Sequence, residues 1–93
     1  MTGADIQSLP SGLEQAKRLA RRLDVPVREI EVHEFPDGEM RVTVSPGIPA
    51  TIIYAPLDHP NDKLLAILLA AEALRRNGAR RLVLADGRLH IDE

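Results

Sequence analysis

Two β-rich segments separated by a long apolar helix constrain this chain most. Thr51-Ile52-Ile53-Tyr54 is a continuous run with no polar alternation, the pattern of a strand covered on both faces. Leu64, Leu65, Ile67, Leu68, Leu69, Ala71 and Leu74 follow at helical spacing, and Asn77-Gly78 is a C-terminal stop. Arg81-Leu82-Val83-Leu84-Ala85 is the next strand. A strand, a crossover helix and a further strand predict a mostly parallel sheet with right-handed connections.

The N-terminal half carries a strand and a helix of its own. Asp5 to Leu9 reads as a short strand. Ser11 with Glu14 three residues on reads as a capping box. Leu13, Ala16, Leu19, Ala20 and Leu23 then make an apolar stripe, opposed by Lys17, Arg18, Arg21 and Arg22, which predicts a helix over 11–23. Its basic last turn suits the negative end of the helix dipole, and Asp24-Val25-Pro26 ends it. Val27, Ile30 and Val32 read as one strand. Pro36-Asp37-Gly38 is a turn, and Met40, Val42 and Val44 alternate with polar residues, so a hairpin is expected with that turn at its tip. Pro46-Gly47-Ile48-Pro49 is a second turn. Asn61 is a candidate N-cap after the loop of Leu57 to Pro60, with Asp62 in the first turn of the helix. The predicted order is β-α-β-β-β-α-β, an α/β fold with a mostly parallel sheet, flanking helices and a β-hairpin.

Ninety-three residues are enough for one domain, assigned to 1–93, with a single modest core. The apolar content is almost wholly aliphatic, with one Phe, one Tyr and no Trp. A net charge of −2, with arginines scattered among acids, lacks the basic footprint of a nucleic-acid binder, and the scarcity of aromatics removes stacking platforms. Without cysteine there is no disulfide, zinc-thiolate site or thiol catalysis. The first ten residues have neither the basic nor the apolar region of a signal peptide. No apolar run is long enough to span a membrane, and a cytoplasmic location is expected.

Chemistry-bearing residues are few. Glu34-Phe35-Pro36-Asp37-Gly38-Glu39 holds the only Phe and two closely spaced carboxylates, Asp37 and Glu39. Its residues suit an ordinary hairpin turn capped by the Phe. They also suit a base-binding loop, in which the ring stacks on a purine and carboxylates accept from an exocyclic amine. Asp58-His59-Pro60-Asn61-Asp62-Lys63 is a loop feeding a helix. A helix N-terminus can hold an anion, but Asp58 and Asp62 weaken that attraction, and no Gly-rich phosphate loop is present. In an open α/β sheet, ligands sit beyond the carboxyl ends of the strands, which places 57–62 and the residues after Ala85 at the functional edge. His33, His59 and His90 have no metal-ligand spacing, and Ser8, Ser11 and Ser45 have no evident base, so no metal site and no catalytic residue is assigned.

Taken in order, FPDGE and then IIYAPLDHPNDKLLAILLAAEALRRNGARRLVL resemble the N-terminal domain of ribose-phosphate diphosphokinases, over Ile6 to Leu84. The resemblance implies a type I phosphoribosyltransferase-like fold, here its N-terminal half. It implies an enzyme that transfers the diphosphate of Mg-ATP to ribose 5-phosphate and works as dimers gathered into rings. It implies that Phe35 stacks on adenine, that Asp37 and Glu39 accept its hydrogen bonds, and that this loop reaches across a subunit interface. Asn61-Asp62 matches the family's loop-to-helix junction near a subunit contact.

After Leu84 the family continues into a Pro-Tyr segment and an Arg-Gln-Asp loop that clamps ATP. This sequence has Ala85-Asp86-Gly87-Arg88 instead. The family's metal-binding histidine and its acidic ribose-phosphate loop have no counterpart in these residues. Diphosphoryl transfer needs positioning and cationic neutralisation of the phosphates. The expectation is therefore a half-site that is inactive alone. The alternative is a non-catalytic interaction module that self-associates or pairs with a full-length synthetase. If the sheet covers only one side of the second helix, Leu65 and Leu69 belong to a subunit interface.

Overall fold

The structure, a computed structural model, describes residues 3–45, 50–56 and 60–85, with the backbone alone at 60–63. Strands β1 (Ala4–Ser8), β2 (Val27–Glu29), β5 (Ala50–Tyr54) and β6 (Arg81–Ala85) form one four-stranded sheet in the order β2-β1-β5-β6, with every pairing parallel. Helix α1 (Leu13–Leu23) connects β1 to β2, and α2 (Pro60–Arg76) lies between β5 and β6. Strands β3 (Glu31–Glu34) and β4 (Met40–Thr43) pair antiparallel as a separate two-stranded arm.

Side chains of a strand alternate between faces, so each strand feeds two cores. On one face Ile6, Tyr54 and Ala85 pack with Ala16 and Ala20 of α1. On the other, Ile53 packs with Ala66, Ile67, Ala70 and Leu74 of α2, together with Leu9 and Ile30. The arm lays its inner face, Val32, Met40, Val42 and Val44, against this second cluster. The expected α/β architecture with its parallel sheet and hairpin is therefore present.

Three local expectations are corrected, and the condition set for α2 is met. Val27 to Val32 is not one strand. Val27 packs on the α1 side whereas Ile30 and Val32 pack on the α2 side, so the three-residue step from Val27 to Ile30 is a change of face. The chain leaves the parallel sheet at Ile30, which is fully buried and donates its N–H to the Ser8 carbonyl at 2.7 Å. This split adds a strand to the predicted order. The Ser11–Glu14 capping box does not form. A 3-10 turn, Pro10–Gly12, precedes α1, Gly12 occupies the N-cap without a side-chain cap bond, and Glu14 pairs with Lys17 at 3.5 Å instead. Asn61 is not the cap of α2, because the helix already includes Pro60. A proline suits that position, since the first turn leaves its N–H unused. Finally, α2 is covered on one side only. Leu64, Leu65 and Leu68 are 47%, 45% and 67% exposed, and Leu69 is half-buried.

The helix ends follow the sequence. Asp24 takes the left-handed conformation (φ 56°) that closes α1. Gly78 (φ 108°) closes α2, with Ala79 N–H bonded to the Leu74 carbonyl and Gly78 N–H to that of Arg75, a Schellman arrangement.

A polar knot is buried in the α2-side face of the sheet. Asp5, Gln7 and Thr51 are buried there on β1 and β5. Thr51 donates its hydroxyl to Asp5 Oδ1 at 2.6 Å, while Gln7 Nε2 at 3.2 Å and Arg28 Nη1 at 3.4 Å reach Oδ2. One side chain thus ties together β1, β2 and β5.

Gly12 marks a close approach. A Cβ built there would stand 2.7 Å from Pro56 Cδ and 2.9 Å from a Tyr54 ring carbon. A proline ring and a buried tyrosine give way poorly, so Gly12→Ala is expected to lower stability by about 1–3 kcal/mol, measured as a drop in urea midpoint. An unchanged midpoint would contradict this packing.

Candidate functional site

The Phe35–Glu39 turn stands at the tip of the arm, where the sequence puts it. Phe35 N–H bonds to the Glu39 carbonyl at 2.8 Å and Gly38 N–H to the Phe35 carbonyl at 3.0 Å. That is a three-residue hairpin loop ending in a left-handed glycine, Gly38 at φ 92°. Pro36 pre-sets the first turn position, and Asp37 Oδ1 accepts from Glu39 N–H at 3.1 Å. Each residue of the motif has a local backbone task, and the side chains of Asp37 and Glu39 remain exposed.

Phe35 belongs to neither core cluster. It lies half-buried on the outer face of the arm. His33, two residues back on the same face, meets its ring nearly edge-on, with centroids 4.4 Å apart and planes at 73°. Arg41, the cross-strand partner of His33, holds its guanidinium 5.7 Å from the ring centroid, within cation–π range. The ring is therefore propped by polar neighbours of its own hairpin. The sequence singled out Phe35, Asp37 and Glu39 and passed over His33 and Arg41. The signal that links them is the hairpin register, which sets positions 33 and 41 opposite each other and beside residue 35.

The remaining site residues are not gathered with this turn. The side chains of Asn61 and Asp62 lie outside the described residues, as do residues 57–59 and 86–93. Leu65 sits on the uncovered side of α2, with Leu69 partly covered. Ser8 is buried and donates to the Leu9 carbonyl at 2.8 Å. Among the described residues no three His, Asp or Glu side chains converge as metal ligands, and no helix is long and apolar enough to cross a membrane.

An open parallel sheet with a helix on each face and an antiparallel arm over one of them is the architecture of an N-terminal phosphoribosyltransferase-like domain. Sequence comparison agrees: the model for the N-terminal domain of ribose phosphate pyrophosphokinase matches residues 5–85. The ribose-phosphate pyrophosphokinase of Methanopyrus kandleri is 32% identical over 74 residues, 77% of this chain and 25% of that protein. That of Campylobacter jejuni is 29% identical over 85 residues, 88% of this chain and 28% of that protein. A putative ribose-phosphate pyrophosphokinase 2 of Listeria innocua is 31% identical over 80 residues, 82% and 26% of the two chains. The chain belongs to the family of the N-terminal domain of ribose-phosphate pyrophosphokinases. It spans about a quarter of the length of the curated relatives it matches.

The turn geometry makes a direct expectation. Open space surrounds a Cβ built at Gly38, but its φ of 92° does not suit an L side chain. Gly38→Ala should weaken the structure by about 1–2 kcal/mol through backbone strain alone. Amide exchange at Phe35 to Met40 should report that loss, and an unperturbed turn would contradict the assigned geometry.

Proposed function

We propose that these residues supply the adenine-recognition half-site of a ribose-phosphate pyrophosphokinase-type enzyme, and that they do not transfer diphosphate by themselves. The observation that carries this reading is the Phe35 ring, held outside both cores at the tip of an arm, with Asp37 and Glu39 beside it. A stacked purine gains from an aromatic face, and its exocyclic amine is a donor that carboxylates accept. A guanine presents a carbonyl where adenine presents that amine, so the same carboxylates would repel it. One oxygen of Asp37 already serves the turn, which leaves its second oxygen and the Glu39 carboxylate for the base.

Magnesium fits this reading as part of the nucleotide. The described residues gather no ligand set for it. The phosphates, the ribose 5-phosphate and the reacting atoms would be held by groups beyond this half-site, as the family resemblance implies.

A second reading has its own support. The exposed leucines 64, 65 and 68 form an apolar stripe along α2, the kind of feature that marks an interface. In that reading the chain self-associates or pairs with a full-length synthetase, and the Asn61-Asp62 junction lies near the contact.

Two outcomes test these readings. Phe35→Ala should weaken Mg-ATP binding by about 1–3 kcal/mol, the worth of one base stack, measured by equilibrium dialysis with the fold intact by circular dichroism. Equal binding by the variant would remove the ring from the site. Leu65→Glu and Leu68→Glu should each convert an associated chain to a folded monomer in light scattering, because both side chains are already half-open to solvent. An oligomer that survives both changes would contradict the α2 interface.

A further inference from the structure

We propose that Gln7 is a positioning residue for the β3–β4 arm: its buried amide, docked on the backbone of Ser45, sets where the arm stands and so where Phe35 is presented. The functional half of this statement rests on the reading of Phe35 to Glu39 as a base-binding turn.

Gln7 has no solvent exposure. Its Oε1 accepts from Ser45 N–H at 3.0 Å, and its Nε2 donates to the Ser45 carbonyl at 3.4 Å. A side chain thus makes both bonds of one rung of a sheet, just past the end of β4. The third contact, Nε2 to Asp5 Oδ2 at 3.2 Å, fixes which way the amide points. Turned over, it would set its oxygen against a carboxylate and its donors against Ser45 N–H. Asp5 is in turn held by Thr51 and Arg28, so the orientation of Gln7 is inherited from three strands of the sheet.

Among the described residues, the hydrogen bonds that join residues 31–45 to the remainder of the molecule are the two between Gln7 and Ser45. The chain enters the arm from Ile30, whose N–H is bonded to Ser8, and the inner face contributes apolar contacts from Val32, Met40, Val42 and Val44. Apolar packing is non-directional, whereas hydrogen bonds weaken steeply with angle. An open cavity of about 300 Å³, lined by Leu9, Pro10, Ser11, Val32, Glu34, Met40 and Ala66, lies between this end of the arm and the body. The arm is therefore aimed at its base, by Gln7.

Native-state hydrogen exchange on the full 93-residue chain tests this. Gln7→Leu keeps the bulk and removes the clamp. Gln7→Asn keeps an amide but withdraws it by one methylene, and serves if the leucine variant does not fold. Ala16→Gly weakens α1 without touching the clamp. In either Gln7 variant the amides of 31–34 and 40–45 should exchange faster, relative to those of β1, β5 and α1, by roughly tenfold, the scale of a buried pair left unmade. The chemical-shift response of Phe35 to Glu39 to Mg-ATP should shrink in parallel. Uniform acceleration across the molecule, as expected for Ala16→Gly, or no acceleration, would overturn the proposal. Selective loosening of the arm in a protein whose unaltered form shows no response to Mg-ATP would leave the clamp standing and overturn the base-binding reading.

Discussion

The Asp5 carboxylate has no contact with water, and a buried charge is tolerated only when its lone pairs are filled. Thr51, Gln7 and Arg28 fill them, and each comes from a different part of the sheet or from the residue that holds the arm. Removing Thr51 would leave Oδ1 buried and unpaired, which is far more damaging than the net worth of a hydrogen bond suggests, whereas Oδ2 has two donors. Among the described residues no buried side-chain nitrogen or oxygen lacks a partner. Arg28 is half-exposed, so its share of the knot is screened by solvent and the Thr51 bond carries more weight.

From that knot the architecture divides its labour. One face of the sheet is closed by α1. The other carries α2 and the arm, with the Phe35–Glu39 turn and the exposed leucines of α2. The arm turns a motif of ordinary turn residues into a display. Pro36, Asp37 and Gly38 spend their backbone chemistry on closing the loop, and this leaves Phe35 propped by His33 and Arg41 rather than sunk in a core. Neither the turn nor the aromatic ring alone would point to a nucleotide. Their combination on a projecting element, within a chain of this family, is what the proposed base site rests on.

Much of this was legible in the residues. The parallel sheet follows from the covered runs at Thr51–Tyr54 and Arg81–Ala85, and both helices follow from their apolar spacing. The tip of the hairpin was readable because Pro-Asp-Gly admits few conformations. Four things were not. The break at Ile30 hides in a pattern that looks like one strand unless the odd step from Val27 to Ile30 is read as a change of face. The helix start moved from Ser11 to Gly12 because tertiary contact with Tyr54 and Pro56 demanded a residue without a Cβ there, a constraint no local pattern carries. Asp5 and Gln7, alternating with Ala4, Ile6 and Ser8, resemble the solvent face of a strand. Their burial depends on partners 23, 38 and 46 residues away. Burial of Phe35 could not be judged from sequence for the same reason, since it is set by register across the hairpin.

The central claim is that the tip of the arm is a base-recognition surface. A titration with Mg-ATP and then Mg-GTP, followed residue by residue in two-dimensional amide NMR spectra, tests it most directly. The account expects shifts confined to Phe35 through Glu39 and their neighbours His33 and Arg41, produced by ATP and not by GTP. No shift at millimolar nucleotide, or equal shifts with both nucleotides, would contradict it and leave the motif as a turn.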